Sequence, residues 1–394
     1  MSATNTSVLF VNHTAEIAGA ERSLLDLLDG LSRRIPVSVA CPEGELLDAL
    51  RSRGISVLAI PAIDASFRLD PVQTPMGIAA IAASAIQVAR FARRRRLSLI
   101  HANTERAGIA VSLAAFAVRI PAVVHVRTLM PEGAVAGITR LLFARAAAAI
   151  VANSRYTAQQ FSGDDRLVEV IPNSIATDRF DPARIDRVIA RSGLGLGPED
   201  LALVTVGYLA PVKAQDDAIQ VLAELKPHHP RVRLLIAGSA RFAGSAARED
   251  NAAYTLGLHR LARSLGVEDE VRFLGEREDI PELLRAADVV LLPSRREGFG
   301  RVAVEAMAMS VPVVATSAGG PAEVVRDGVD GLVLAPGDPK AWADAISTLL
   351  ADAELRVAMG GNGRTRAIHE YGVETQVERV LGLYGRVLSG VKGR

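Results

Sequence analysis

Short runs of branched apolar residues recur along the chain, each followed by a longer stretch with helical spacing of apolar and polar positions. In the first half these runs begin at Val8, Val37, Ser56, Leu97, Val123 and Ala149. Each is too short for a typical helix and suits a strand buried on both faces. Between them the spacing predicts helices such as Glu21–Leu31, Met76–Arg96 and Gly137–Ala147. The rhythm breaks over residues 180–200, where prolines, glycines and charges crowd together, and this stretch reads as an inter-domain connection. It then restarts with runs at Leu201, Val232, Val271, Val289 and Val311, separated by helical stretches near Asp216–Leu225, Asn251–Leu265 and Arg301–Met309. From Trp342 onward only helices are expected. Strand–helix alternation of this kind predicts an α/β chain with two doubly wound parallel sheets, ligands lying at the strand carboxyl ends in a cleft between them.

Composition changes this picture little. Of 394 residues, 49% are hydrophobic and 23% charged, and 45 Lys and Arg stand against 44 Asp and Glu. The net charge of +1 argues against a dedicated nucleic-acid binder. A single cysteine, Cys41, can form neither an internal disulfide nor a cysteine-rich zinc site, which suits a reducing compartment. The start of the chain lacks the basic and apolar stretches of a signal peptide. The apolar window Gly77–Ala89 falls short of the ~20 residues that cross a bilayer. A cytoplasmic chain is expected.

The sharpest candidate chemistry is EGFGRVAVEAMA, Glu297–Ala308, where Gly298 and Gly300 flank Phe299 between a strand and a helix. Such a turn lets backbone N–H groups approach an anion at the positive helix end. Glu305 lies roughly 8 Å along the helix axis from its start at ~1.5 Å per residue. Two carboxylates so placed could hold hydroxyls at opposite ends of an extended ligand, or be ordinary surface and helix glutamates. In VGYLAPVKAQD, Val206–Asp216, Lys213 opens a helix where the macrodipole disfavours a cation. A bound phosphate would relieve the conflict; so would a solvated lysine turned away.

Gly19 and Glu21 sit where the first strand passes into the first helix, as a phosphate loop or a plain helix start. GLGLG at Gly193–Gly197 follows a helix rather than a strand, so it is no dinucleotide fingerprint. His125 and Arg127 end a central strand, and His101, Asn103, Glu105 and Arg106 follow another. Either histidine could reach a substrate hydroxyl or be a satisfied core residue. Arg93–Arg96 complements a helix C-terminus, the favoured reading, or makes a patch for an anionic membrane surface.

With these residues in view, nearly the whole chain resembles the family-four retaining glycosyltransferases of GT-B architecture. The likeness rests on Glu297 and Glu305 within EGFGRVAVEAMA, on VPVVATSAGGPAEVVRDGVDGLVLAPGDP, and on AGAERSLLDLL, HANTERAG, VVHVRT, VANSRYTAQQF and VIPNS. The resemblance implies an acceptor-side domain over residues 1–185, a donor domain over 186–370, and a final helix over 371–394 crossing back to the first. It implies that Glu297 contacts the donor hexose, Lys213 neutralises the diphosphate and His125 faces the reacting sugar. Gly207, Tyr208, Phe299, Gly300, Arg301, Val302 and Glu305 would hold the donor, the last on its ribose, with Gly275 and Arg277 near the base and Gly19 near the diphosphate. Asn103, Arg106 and Arg127 would lie on the acceptor side, with part of the acceptor loop over residues 64–75.

The family's usual arginine after the glycine of the GYL segment is Tyr208 here, and Arg241 or Arg301 are the candidates to replace its charge. Ala214 and Ser174 also stand where glycine is usual. The expected activity is hexosyl transfer from a nucleoside-diphosphate sugar to a glycan, glycolipid or small-molecule hydroxyl, with no cofactor and no catalytic metal. A catalytically degenerate binding protein and a nucleotide-sugar epimerase of the same fold are the rival readings. Expected partners are the nucleotide sugar and its acceptor, with peripheral contact at the inner membrane face left open and the oligomeric state not fixed.

Overall fold

The branched apolar runs form two fully parallel sheets in a computed structural model that describes residues 6–63, 73–161, 168–240 and 251–391. The first sheet comprises β1 (Val8–Val11), β2 (Val37–Cys41), β3 (Ser56–Ala59), β4 (Leu99–Ala102), β5 (Ala122–Val126), β6 (Ala149–Ala152) and β7 (Val168–Val170), ordered β3-β2-β1-β4-β5-β6-β7. Its helices are α1 (Gly19–Leu31), α2 (Glu45–Ser52), α3 (Gln73–Arg95), α4 (Glu105–Val118), α5 (Ala134–Ala146) and the short α6 (Arg155–Ala158). The second sheet comprises β8 (Leu201–Val206), β9 (Val232–Ala237), β10 (Val271–Gly275), β11 (Val289–Leu292), β12 (Val313–Thr316) and β13 (Gly331–Leu334), ordered β10-β9-β8-β11-β12-β13. Around it lie α7 (Arg187–Gly193), α8 (Gln215–Leu225), α9 (Asn251–Ser264), α10 (Ile280–Ala286), α11 (Arg301–Ala308), α12 (Pro321–Val324), α13 (Pro339–Ala351) and α14 (Ala353–Tyr371), with α15 (Val373–Val391) closing the chain.

The chain packs as two units, Met1–Ser174 with Val373–Arg394, and Ile175–Gly372. The first division therefore falls at Ser174 rather than after residue 185, and α15 belongs to the first unit. Residues 180–200 are not a connection between units. Phe180 and Leu196 are buried in the second unit, with Ile185, Ala190 and Leu194 packed beside them. Arg191 is buried too, its guanidinium donating to the Ala286 carbonyl and to Asp288, while the Asp288 carboxylate also accepts the Ala202 N–H at 2.8 Å.

In the first unit the sheet faces have distinct partners. One face packs α1, α2 and α15 through Leu24, Leu28, Leu47, Val377, Val380 and Tyr384. The other packs α3, α4 and α5 through Val88, Ala92, Val111 and Phe143. The apolar spacing of α15 at residues 377, 380, 384 and 387 makes one buried stripe. Gly30 lets that helix come close, since a Cβ there would lie 2.8 Å from Val373 Cγ1. Ser174, where the resemblance leads one to expect glycine, donates to Gln376 at 2.7 Å and so helps pin α15.

In both units the loops that carry chemistry leave the carboxyl ends of parallel strands, where a short βα turn must reverse the chain. In the second unit three such turns are laced together by backbone hydrogen bonds: Gly207 N–H to the Ala237 carbonyl at 2.9 Å, and Gly238 N–H to the Gly275 carbonyl at 2.7 Å. Only glycine fits at 238, because a Cβ would fall 1.9 Å from the Gly207 carbonyl oxygen.

Candidate functional site

In the second unit the loops after β8 and β11 meet through Lys213 and Glu297. The Lys213 ammonium donates to Glu297 Oε2, and both side chains are largely shielded from solvent, about one-fifth exposed. Burial opposes the lysine charge, but the Glu297 carboxylate and the Tyr208 phenol outweigh it and hold its pKa above the ordinary value. The ammonium also lies 5.4 Å from the Tyr208 ring centre. Tyr208 therefore supplies a π face, not a second cation, to this charge.

Each side of the pair is braced. Lys213 ends a 3₁₀ turn over Pro211–Lys213, and Ala214 follows in the left-handed conformation, φ 55°, that glycine adopts more readily. Arg295, on the other loop, donates to the Pro211 carbonyl, to Asp216 at 2.6 Å and to Asp217 at 3.0 Å, while its own N–H reaches the Val212 carbonyl at 3.0 Å. On the Glu297 side, Glu297 N–H reaches the Ala318 carbonyl at 3.1 Å, and the Gly320 N–H returns to the Glu297 carbonyl at 3.0 Å. A Cβ at Gly320 would sit 2.2 Å from the Gly298 carbonyl oxygen, so that approach requires glycine.

Beyond this turn, Gly300 at φ 85° opens α11, whose first N–H groups have no side-chain cap. The phenyl ring of Phe299 is a core group, packed edge-on to Tyr371 at 5.9 Å, so only its backbone is offered to a ligand. Val302 packs on the same core. Arg301 Nε donates to Glu305 Oε1 at 2.7 Å, which places Arg301 on the second carboxylate. Arg277 forms a fork with Asp279 beside Gly275. Arg241 lies outside the described residues, as do residues 64–72 of the expected acceptor loop.

In the first unit the carboxyl ends of β1, β4 and β5 carry a buried polar network. Arg127 donates to the Asn103 carbonyl at 2.9 Å, to the Asn103 side chain at 2.7 Å, and to Asn173. Asn103 in turn donates to Asn12 at 2.8 Å, and Glu105 Oε1 accepts the Arg127 and Thr128 N–H groups, each at 2.6 Å. Asn103 and Arg127 are thus brought together, whereas Arg106 acts through its charge on His13, whose pKa burial and then Arg106 lower to about 3. Glu21 is buried, caps Ala18 N–H at 3.2 Å, and burial raises its pKa. Gly19 begins α1, and a Cβ there would meet open space, so the fold itself does not demand glycine.

His125 is buried, and neither ring nitrogen has a hydrogen-bond partner among the described residues. Its neighbour His101, 5.7 Å away between ring centres, is bonded through Nδ1 to the Tyr384 hydroxyl at 2.6 Å. Burial and then the nearby Arg127 lower both pKa values, that of His101 to about 3. Both rings are therefore neutral at physiological pH.

Sequence reasoning singled out Lys213, Glu297, Glu305 and His125 as candidates; Arg295, Asn12, Asn173 and Tyr384, which the structure bonds to candidate residues or to the loops that carry them, were not among its candidates. Arg295 and Tyr384 act on partners 78 to 283 positions away, which no local spacing reveals. Asn12 and Asn173 carried a weak signal, since each ends a branched apolar run.

Two predictions test this geometry. A base with a lowered folded pKa binds more protons unfolded, so stability falls with pH below ~6.5 and continues to fall towards the folded pKa. For His101 the loss at pH 5 is roughly 2 kcal/mol, at 1.36 kcal/mol per unit. Thermal unfolding of the His101→Gln variant should show a flatter stability profile between pH 7 and pH 5 than the parent; an unchanged profile contradicts a neutral His101. Arg295→Ala should destabilise by about 1 kcal/mol, given its partly exposed ion pairs. Thermal melting measures it, and an unshifted midpoint would deny Arg295 its bracing role.

Comparison with known proteins fits this geometry. Residues 17–179 match the family model described as Glycosyltransferase Family 4, and residues 187–366 match that of Glycosyl transferases group 1. The D-inositol 3-phosphate glycosyltransferases of Actinosynnema mirum and Salinispora arenicola are 38% and 35% identical over 245 and 254 residues, 60% and 61% of this chain. The match spans little more than half of those relatives, 57% and 55%. The crystal structure of Anabaena HepE in complex with UDP-glucose has TM-score 0.83 at 27% identity, covering 97% of this chain and all of that one. The glycosyltransferase WaaG shares the fold at TM-score 0.69 and 18% identity, covering 96% of this chain and 99% of its own. Both sheets, the loops that bear Lys213 and Glu297, and two family matches lying end to end along the sequence lead to one conclusion: the chain belongs to the family-four, group 1 glycosyltransferases.

Proposed function

We propose that this chain is a retaining glycosyltransferase that moves a hexosyl group from a UDP-sugar to an acceptor hydroxyl. The observation that carries the reading is the Lys213–Glu297 pair, set beside the uncapped start of α11. A diphosphate is the natural occupant of a lysine paired with a glutamate on the glycine turn that opens a helix. The choice of UDP rests on the likeness to Anabaena HepE, whose structures hold UDP, UDP-glucose, or UDP and glucose.

In the proposed reaction the bond between the anomeric carbon and the diphosphate oxygen breaks, and a bond from the acceptor oxygen forms on the same face. The acceptor proton passes to the departing phosphate. Lys213 then neutralises charge that grows on the leaving group, and the α11 N–H groups share it, which is preorganised electrostatic stabilisation. Glu297, released from Lys213 by the phosphate, accepts hydrogen bonds from the hexose hydroxyls. Glu305, oriented by Arg301, takes the ribose hydroxyls. For the first unit it is the family resemblance alone that assigns neutral His125 to the sugar and Asn103, Arg106 and Arg127 to the acceptor. No metal is assigned a role. Tyr208 leaves Lys213 to carry the leaving-group charge without the second cation usual in the family.

The relatives named D-inositol 3-phosphate glycosyltransferase make a phosphorylated polyol one acceptor to include, alongside glycans and glycolipids. The test is release of nucleoside diphosphate from a panel of UDP-, GDP-, ADP- and dTDP-sugars, with and without acceptors. UDP release should predominate, and Lys213→Ala should reduce it by about 10²–10³-fold, the usual loss on removing one transition-state charge partner. Turnover that Lys213→Ala and Glu297→Ala leave untouched would refute these roles. Failure to bind any nucleotide sugar would instead favour the degenerate reading that Tyr208 raises.

A further inference from the structure

The first unit carries an outer surface unlike the rest of the molecule. Among its described residues, every large apolar side chain that is exposed lies on α3, α4 or α5: Met76, Ile78 and Ile86, then Leu113 and Phe116, then Ile138 and Leu141. Phe116 is 85% exposed and Ile138 67%. Single exposed apolar side chains are ordinary, but a set confined to one face is not.

The spacing shows that these residues share the outward side. On α3 the exposed positions as far as Arg90 are 75, 76, 78, 79, 82, 86 and 90, which cluster at helical spacing and stay apolar until that arginine. On α5 the exposed positions 134, 138, 141 and 145 are Ala, Ile, Leu and Arg. The inner sides of the same helices, Val88, Ala92, Val111 and Phe143, pack on the sheet, and α4 packs against both neighbours. By length and composition Thr74–Arg95 could cross a bilayer, which corrects the expectation from its short apolar window. Here its inner side is committed to the unit's own core, so it lies along the unit as a surface helix.

Charge completes the pattern. Residues 73–146 contain ten arginines and two glutamates, while the whole chain carries only +1, so the remainder is net negative. Glu105, one of the two, is buried and occupied with the Arg127 and Thr128 N–H groups. None of Arg90, Arg93, Arg94, Arg96, Arg119, Arg140 and Arg145 has a carboxylate partner among the described residues, and Arg95 lies over the Phe91 ring instead. Elsewhere in the same unit, exposed arginines such as Arg34, Arg53 and Arg386 are paired with carboxylates.

We propose that the outer face of α3, α4 and α5 docks this chain on an anionic lipid surface. Aliphatic and aromatic side chains enter the headgroup boundary while unpaired arginines meet lipid phosphates, the two attractions that hold an interfacial helix. Long arginine stems add apolar cover while their heads stay in the polar layer. A second copy is a poor occupant, because two such faces would set like charges against each other. The proposal stands apart from glycosyl transfer and does not require it.

The test is co-sedimentation of the full chain with vesicles of phosphatidylcholine alone and of phosphatidylcholine mixed with phosphatidylglycerol. Protein should sediment with the mixed vesicles, not with the neutral ones, and should be released at about 1 M salt, where the screening length is only ~3 Å. Leu113→Ser with Phe116→Ser, and separately Arg93→Ser with Arg94→Ser, should each lower the vesicle-bound fraction by roughly tenfold. All four positions are exposed, and unchanged melting temperatures would certify folded variants. No binding to the anionic vesicles, equal binding to neutral ones, or variants that bind like the parent would overturn the proposal. Light scattering on the lipid-free protein supplies another decision: a dimer dissolved by the Leu113/Phe116 variant would assign the face to a second copy.

Discussion

The ion pair of Lys213 with Glu297 is the contact around which the second unit's polar loops are arranged. Two shielded charges of opposite sign hold each other where neither is fully hydrated. Breaking such a pair by removing one partner leaves an uncompensated charge, which is why its surroundings must keep the loops in place. Arg295 fixes the lysine loop from one side, and the close approach of Gly320 to Gly298 fixes the glutamate turn from the other. An arriving diphosphate would exchange one anion for another at Lys213, so the lysine needs no reorganisation to meet it. That is the advantage of charge positioned before the reaction begins.

The first unit solves a different problem. Its strand ends bury Arg127, Asn103, Asn12 and two neutral histidines together, and nearly every donor of this network is satisfied from within. The exceptions, among the described residues, are both ring nitrogens of His125 and Nε2 of its neighbour His101, whose Nδ1 is tied to Tyr384 on α15. A buried polar group left open in an otherwise satisfied network is where a ligand hydroxyl gains most from binding. The chain's last helix thus contributes to the polar centre of the unit that its first strand begins.

Much of this was legible in the residues. The strand runs at Val8, Val37, Leu201 and Val289 are continuous apolar segments because parallel strands are covered on both faces, and that signal is strong. Two edge strands escaped notice: Val168–Val170 has only three residues, and Gly331–Leu334 begins on glycine within a turn-rich stretch. Residues 180–200 misled for a related reason. Their prolines and charges resemble a linker, yet Phe180 and Leu196 anchor them in a core built from residues far along the chain. Local composition reports turn chemistry faithfully, but it cannot report which distant surface a turn packs against. The same limit hid Arg295, whose side chain looks like any other surface arginine until Asp216 and Asp217 are brought beside it.

The most direct test is a crystal structure of the chain with bound UDP. Lys213 Nζ should lie about 3 Å from an oxygen of the diphosphate, with Glu297 no longer its partner, the first N–H groups of α11 directed at the same phosphate, and Glu305 on the ribose. UDP bound elsewhere, or bound with the Lys213–Glu297 pair intact, would contradict the view of this pair as a site held ready for the leaving group.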